Sequence, residues 1–289
     1  MNATPTTGEI ESRNKTTVKV QAATRGGNGG WGVRVAQVLI VAAFLLGWQY
    51  LPTITVLSQS VKIFDRFYIS SPTEVWQTLG YLLTGTHGIP LLWSYLAITV
   101  EATVVGAAVG LFLGALFGLV FSNSAGLSAV ARPFIVLMNS VPRVAMIPIF
   151  VLLAGPTVQA SAISVTATVF FLAFFNAFEG GISVRQAMLE NAVLLGAGRL
   201  ELMRYVRLPM VAAWTFAAVP NAISFGLVVA VTTELLAGVQ GMGYLLLTST
   251  TNVEAALTFA IIIALSVVGL VLYSVATIFR NHYLHWQGR

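Results

Sequence analysis

Three charged side chains interrupt long apolar stretches of this sequence and are the first candidates for a functional site. Glu101, Arg143 and Glu234 each stand among hydrophobic neighbours. Because an ionisable group is costly in an apolar environment, such residues mark functional sites by default. The planar guanidinium of Arg143 can bind an anionic group through several N–H donors. Alternatively, Arg143 forms a structural ion pair with Glu234 or Glu101, which would neutralise both charges.

Backbone-breaking and polar residues accompany these charges. Pro142 and Pro148 flank Arg143 and interrupt any helix there, and broken backbone inside an apolar layer is tolerated only within protein or beside a cavity. Asn139 precedes this break, and its side chain either contacts a ligand or forms a hydrogen bond between helices. Glu234 is followed by closely spaced glycines, which suggest tight helix packing, a gate or a contact between two copies.

Several kinds of chemistry are missing from the sequence. No Gly-x4-Gly-Lys-Ser/Thr motif is present to hold nucleotide phosphates. His87, His282 and His285 have no partners at metal-ligand spacing. Cysteine is absent, which excludes disulfides and thiolate metal sites. We therefore predict no catalytic residue, no metal site and no ATP site in this chain.

The composition predicts a membrane protein. Of 289 residues, 57% are hydrophobic and only 9% are charged, and the mean hydropathy is +0.84. Soluble domains have about 25% charged residues, so this chain cannot cover a water-facing surface, and we predict an all-α integral membrane protein. The net charge of +5 is spread between apolar stretches, which is typical of membrane-flanking anchors and argues against nucleic-acid binding.

Six segments are long and apolar enough to cross a bilayer, which takes about 20 residues. They are residues 33–51, a stretch within 91–121, and residues 131–154, 157–178, 209–233 and 255–279. An even number of spans leaves both termini on one side. The polar, glycine-containing residues 1–30 are predicted to form a flexible tail, and residues 31–289 the membrane domain.

Lysine and arginine indicate which side faces the cytoplasm. With the N-terminus inside, twelve basic residues lie on the cytoplasmic side and only Lys62 and Arg66 lie outside. This bias predicts cytoplasmic termini and a cytoplasmic insert over residues 179–208. On the outer side, the pattern after Ser71 predicts an amphipathic helix, either lying on the membrane interface or packed as a connector.

The insert over residues 179–208 is too long for a simple connection between helices. We predict two short helices that form a compact knob, separated at Gly196-Ala197-Gly198, since glycine costs about 1 kcal/mol relative to alanine in a helix. The small residues near this break would let the backbone of another protein approach closely.

The same segment resembles a cytoplasmic motif in the permease subunits of bacterial ABC importers. That motif is Glu-Ala-Ala, three residues, Gly, nine residues, Ile, one residue, Leu-Pro. Here Glu190-Asn191-Ala192, Gly196, Val206 and Leu208-Pro209 stand at the same spacing, with Asn191 and Val206 as mild departures. The stretches "NSVPRVAMIPIFVLLAG", "TELLAGVQGMGYLLLTS" and "FRNHYLHW" further resemble the branch that serves sulfonate, taurine and nitrate importers.

The resemblance implies the fold of a type I ABC importer permease, whose motif contacts a separate ATPase. The implied coupling residues are Glu190, Asn191, Ala192, Gly196, Ala197, Val206, Leu208 and Pro209. ATP and magnesium would be bound by two copies of that ATPase and not by this chain. The other implied partners are a second permease copy, identical or related, an extracytoplasmic solute-binding protein and membrane lipid, in the bacterial cytoplasmic (inner) membrane.

The implied function is uptake of a small solute by alternating access. Arg143, Glu234, Glu101 and Asn139 are the candidate path or gate residues. The branch implies an anion such as a sulfonate, taurine, nitrate or a carboxylate, although some relatives carry neutral heterocycles. A secondary transporter or channel without an ATPase is the alternative, and it would need inverted repeats or acid-rich discontinuous helices. A membrane enzyme is a further alternative, against which the scattered histidines argue.

Overall fold

The computed structural model describes residues 29–53, 66–184 and 186–284. Residues 1–28, almost all of the predicted tail, lie outside this part of the chain. The chain divides into two units between Arg66 and Phe67. In the first unit, helix α1 covers Gly29–Tyr50 and is followed by a 3-10 turn, Leu51–Thr53. The first predicted span is therefore a helix, and it begins inside the glycine cluster.

The second unit consists of helices joined by short connections. After a short α2, Arg66–Ile69, the helices are α3, Pro72–Thr84; α4, Leu92–Ser122; α5, Ala125–Ser140; α6, Ile147–Ala154; α7, Val158–Ile182; α8, Gln186–Leu194; α9, Arg199–Leu202; α10, Leu208–Ala237; α11, Met242–Thr251; and α12, Ala255–Tyr283.

The predicted membrane architecture is confirmed. Five helical stretches are long and apolar enough to cross a membrane, and a sixth is obtained if one bent pair of helices counts as a span. The five are α1, α4, α7, the stretch Arg199–Ala237 and α12. No β-strand occurs among the residues that the structure describes. The protein is thus all-α, with about six spans.

The third predicted span, residues 131–154, is broken at Pro142, where the sequence predicted an interruption. It is a bent pair in which Ala125–Met138 and Arg143–Ala154 meet at 87°. Val141 has an extended backbone, with φ −76° and ψ 123°, because the ring of Pro142 disfavours a helical conformation in the residue before it. Helix α5 therefore ends at Ser140, and a 3-10 turn, Arg143–Met146, leads into α6.

Close packing of α4 against α7 forms the centre of the bundle. Gly106, Gly110, Gly114 and Gly118 of α4 recur every four residues and face α7. A Cβ atom at Gly114 would lie 2.6 Å from the Cβ of Ala173 and equally close to the Phe170 carbonyl oxygen. Small residues at these positions let the helix backbones approach, as in other membrane helix pairs.

The bundle has two ends, which position the two groups of candidate residues. The knob end carries residues 122, 182, 207 and 283, and the far end carries residues 92, 158, 237 and 255. Helix α3 lies at the far end, where Val75 and Leu82 are buried and Trp76 on another face is 76% exposed. Ser71 caps this helix as predicted, since its hydroxyl accepts a hydrogen bond from the Glu74 N–H.

Candidate functional site: the knob and the far-end cluster

The first half of the knob, which we define as residues 186–207, ends in a Schellman motif. The N–H of Ala197 donates to the Ala192 carbonyl at 3.0 Å, and the N–H of Gly196 donates to Val193 at 2.9 Å. Gly196 has φ +92°, a left-handed conformation that glycine adopts without steric cost. The glycine of the motif is therefore required by the turn that ends α8.

The second half of the knob is continuous with a membrane span. The Glu201 carboxylate accepts a hydrogen bond from the Gly198 N–H at 2.8 Å, which caps α9. Residues 203–207 then form a π-helical turn in which the Leu208 N–H donates to the Met203 carbonyl. Pro209 has no N–H to offer the preceding turn, and a wide turn accommodates this gap.

The second short helix predicted over about residues 199–207 runs directly into the fifth span, as expected. Arg199–Ala237 is one helical stretch of 39 residues, because proline is tolerated in the first turn of α10. The insert also begins later than predicted, since α7 extends to Ile182.

The knob presents large apolar side chains to its surroundings. Leu194, Leu195 and Leu200 are 84%, 89% and 79% exposed. Leu194 and Leu195 precede the Gly196 turn, and Leu200 follows it in the first turn of the helical stretch Arg199–Ala237. Contiguous exposed apolar side chains of this kind mark an interaction surface.

The motif residues differ in their exposure around this surface. Glu190, Asn191, Gly196 and Leu208 are exposed, whereas Ala192, Ala197, Val206 and Pro209 are half-buried. The structure thus brings the motif together at one end of the bundle, with its acidic start on α8 and its Leu-Pro end at the head of α10.

Arg207 ties the knob to the turn between α4 and α5. Its Nη1 donates to the carbonyl oxygen of Asn123, to the Asn123 side-chain oxygen at 2.7 Å and to the Ser122 carbonyl at 3.4 Å. All of these acceptors are uncharged, so the knob is positioned by hydrogen bonds of a cation to neutral oxygens.

At the far end, Glu234 is the centre of a buried cluster. Its side chain is fully buried, and its Oε2 accepts hydrogen bonds of 2.9 Å from the Thr99 hydroxyl and from the Gly243 N–H. The Thr99 oxygen in turn accepts from the Met242 N–H at 2.9 Å. The cluster therefore joins α4, α10 and the start of α11, while Oε1 of Glu234 has no hydrogen-bond partner.

Two glycines make room for this carboxylate. A Cβ atom on Gly241 would lie 2.3 Å from Cδ of Glu234, and one on Gly243 would lie 2.2 Å from the Val231 carbonyl oxygen. The glycines after Glu234 are thus explained by close packing on the carboxylate and on the α10 backbone.

The other path candidates do not join this cluster. Arg143 is half-buried at the bend between α5 and α6, and Glu101 is exposed on α4. No ion pair joins Arg143 to Glu234 or Glu101 in the described structure, and the hydrogen-bond partners of Glu234 are a hydroxyl and a backbone N–H. Asn139 lies in the last turn of α5, and its side chain is outside the described part.

Over the described residues, no group of three His, Cys, Asp or Glu side chains could hold a metal ion. The polar chemistry of this unit is therefore hydrogen bonding and charge at the knob, the bend and the far-end cluster.

The sequence of this chain matches a known protein family. The sequence profile of the family described as "Binding-protein-dependent transport system inner membrane component" matches residues 106–284, more than half of the chain. The chain belongs to this family. The matched region includes the knob, the bend and Glu234, and the predicted recognition of an ABC importer permease is confirmed.

Curated relatives of this permease have related names. A probable ABC transporter permease protein of Haemophilus influenzae is 27% identical over 82% of this chain and 91% of its own length. The riboflavin transport system permease protein of Chloroflexus aurantiacus is 24% identical over 78% of this chain and 82% of its own. The taurine transport system permease protein of Escherichia coli is 26% identical over 64% and 68%.

A solved structure supports the fold. The crystal structure of an amino acid ABC transporter with histidines has a TM-score of 0.57 and 18% identity, and the match covers 70% of this permease and 98% of that chain. The fold of this permease is therefore that of an ABC importer permease.

Several important residues were not predicted from the sequence. Thr99 was missed because it is one of many threonines in apolar helices, and only its place opposite Glu234 distinguishes it. Leu194 and Leu200 were missed because they flank the glycine break and do not follow helical spacing. Arg207 was used only as one of the basic residues that indicate the cytoplasmic side. Its position directly before Leu208-Pro209 of the motif is a signal that could have identified it.

Proposed function

We propose that this permease forms a translocation path for a small solute, driven by two ATPase subunits that bind the knob and that hold ATP and magnesium. A second permease copy and an extracytoplasmic solute-binding protein complete the assembly. It lies in the bacterial inner membrane, with both termini and the knob in the cytoplasm. The spans open alternately to each side as the ATPases close and separate.

The exposed leucines of the knob carry this proposal. Exposed apolar surface outside the spans is unfavourable in water and becomes favourable when a partner covers it, at about 25 cal/mol per Å². The Gly196 turn fixes the shape of this surface, and the backbone continues into α10 without a break. A force applied to the knob by a partner is therefore transmitted to a span and not absorbed in a loop.

Copurification of the ATPase tests the proposal. Glu190→Lys reverses a charge at the exposed start of the motif, and we expect it to abolish ATPase recovery with the permease. Glu179→Lys is the matched control, because Glu179 is also exposed but precedes the knob on α7. Equal ATPase recovery with both variants would show that the start of the motif does not bind the ATPase. Solute flux into liposomes without any ATPase would favour a secondary transporter or channel instead.

For the substrate, we propose a small anion, such as a sulfonate or a carboxylate, that contacts Arg143. Arg143 is half-buried, lies at a bend in the backbone and has no acidic partner in the described structure. The taurine relative is named for a solute with an anionic group, which supports this proposal. The riboflavin relative is named for a heterocycle, which is the competing class of substrate.

Substrate-stimulated ATPase activity tests the role of Arg143. Arg143→Ala should raise the half-maximal solute concentration by about tenfold or more, because hydrogen bonds to charged groups contribute about 1.5–3 kcal/mol. Arg143→Lys keeps the charge and should retain part of the response. An unchanged response in a folded alanine variant would remove Arg143 from the solute path. Measuring which solute the binding protein takes would identify the substrate independently.

A further inference from the structure

A polar cavity lies at the knob end and is separate from the exposed leucines. It has a volume of about 430 Å³ and is lined by the turn between α4 and α5, by the end of α7, by α8 and by Arg207. A water molecule occupies about 30 Å³ in the liquid, so this space is far larger than a single ion needs. It can therefore hold a molecular group.

The charged side chains that line this cavity are both positive. Arg132 and Arg207 both line it, and no carboxylate is among its lining residues. Arg207 uses Nη1 for uncharged oxygens, which holds the guanidinium in place and leaves further N–H donors for a ligand. Arg132 is exposed and has no partner in the described structure. Two guanidinium groups at one cavity favour an anion with several oxygens, such as a phosphate.

Apolar side chains and an apolar groove lie next to the cavity. Phe134 and Val136, on the turn after Arg132, are 60% and 68% exposed. An apolar groove of about 410 Å³ lies between α4, α10 and α12 and is lined by Leu119, Leu208 and Phe279 among others. Leu208 directly follows Arg207, and Leu119 lies one turn before Ser122 of the cavity wall. The groove therefore begins within one helical turn of the cavity.

We propose that the cavity binds the phosphate of an anionic phospholipid, with one acyl chain in the groove. A soluble anion would satisfy the arginines but would leave the groove empty. A zwitterionic lipid would fill the groove but would bring its own positive charge close to the two arginines. Arginines near an anionic membrane surface attract its headgroups. The inference rests on the proposed function only in assigning the knob end to the cytoplasmic leaflet.

The test measures lipid binding by the full-length chain, purified in neutral detergent with any ATPase that copurifies. Phosphatidylglycerol, phosphatidylcholine and inorganic phosphate are titrated separately, and the rise in unfolding temperature is followed. We expect stabilisation by phosphatidylglycerol only. Equal stabilisation by phosphatidylcholine, or by inorganic phosphate, would overturn the lipid assignment.

Two pairs of variants locate the site. Arg132→Gln should raise the half-maximal phosphatidylglycerol concentration about tenfold, as for loss of one charge-assisted contact. Arg280→Gln removes a charge at the same end of the bundle but outside the cavity, and it should have little effect. Ala212→Phe fills the groove and should weaken binding, whereas Ala217→Phe, an exposed position of the same helix outside the groove, should not. Equal effects within either pair would overturn the inference.

ATPase recovery is scored on the same samples, which separates the two proposals. A permease that retains its ATPase but does not prefer phosphatidylglycerol would overturn this inference alone. A permease that binds phosphatidylglycerol at Arg132 but never recovers an ATPase would overturn the proposed function and leave the lipid site standing.

Discussion

The hydroxyl of Thr99 should stabilise the far end of the bundle, and Thr99→Val removes it with little change in shape. The hydroxyl donates to Glu234 and accepts from the Met242 N–H, each at 2.9 Å, and Thr99 is fully buried. The valine variant leaves the Met242 N–H without a partner and Glu234 with one donor instead of two. It also separates the start of α11 from α4.

The expected loss is about 2 kcal/mol of unfolding free energy. A buried polar group left unsatisfied costs about 1–3 kcal/mol, and two groups are affected here. The lower end of that range applies, because helices unfolded within a membrane or detergent find other partners for their polar groups. The measurement is denaturant unfolding in neutral detergent, followed by proteolysis of the segment between α10 and α11, which should be cleaved faster in the variant.

Thr103→Val is the matched control for this prediction. Thr103 is also fully buried and lies one turn further along α4, but its hydroxyl donates only to the Thr99 carbonyl of its own helix. Its replacement should cost about 0.5 kcal/mol or less. If both variants lose the same free energy, the hydroxyl of Thr99 does not join the helices, and the reasoning about the cluster fails.

Three further predictions concern glycines. Gly241→Ala should destabilise the permease by about 1–3 kcal/mol through overpacking against Glu234, while Gly80→Ala, with no atom near its added Cβ, should be neutral or stabilising in the same unfolding assay. Gly114→Val should prevent α4 and α7 from packing, seen as loss of the monodisperse peak in size-exclusion chromatography; a normal peak would contradict the close approach. Gly196→Ala should weaken ATPase binding about five- to thirtyfold, because a left-handed alanine costs about 1–2 kcal/mol, whereas Gly198→Ala, with φ −78°, should bind normally in a titration with purified ATPase.

The sequence predicted those features that depend on neighbouring residues. The spacing from Glu190 to Pro209 located the knob, and Gly196 located its turn, because a Schellman motif is set by a few consecutive residues. The spans were predicted because length and apolar composition suffice. The break at Pro142 was predicted because proline interrupts a helix, whereas its angle of 87° was not predicted.

Other features depend on residues far apart in the chain. Thr99 and Glu234 are 135 residues apart, so their contact is fixed by the packing of α4 and α10 and not by a local pattern. The same reason applies to the pair between Arg143 and Glu234, which was one of two alternatives for these charges. Only the opposite charges suggested this pair. In the structure, the Glu234 carboxylate instead accepts hydrogen bonds from the Thr99 hydroxyl and the Gly243 N–H.

The continuity of Arg199–Ala237 has a mechanical consequence. At 1.5 Å per residue, its 39 residues extend about 58 Å, from the exposed leucines to Glu234 near the opposite tip. A tilt of only about 5° around the middle of such a rod would displace each tip by about 2.5 Å, in opposite directions. Pro220 lies close to that middle, where it is buried and the helix stays continuous. The rod would therefore act as a lever with a built-in fulcrum, turning a push at one face of the membrane into an opposite movement at the other.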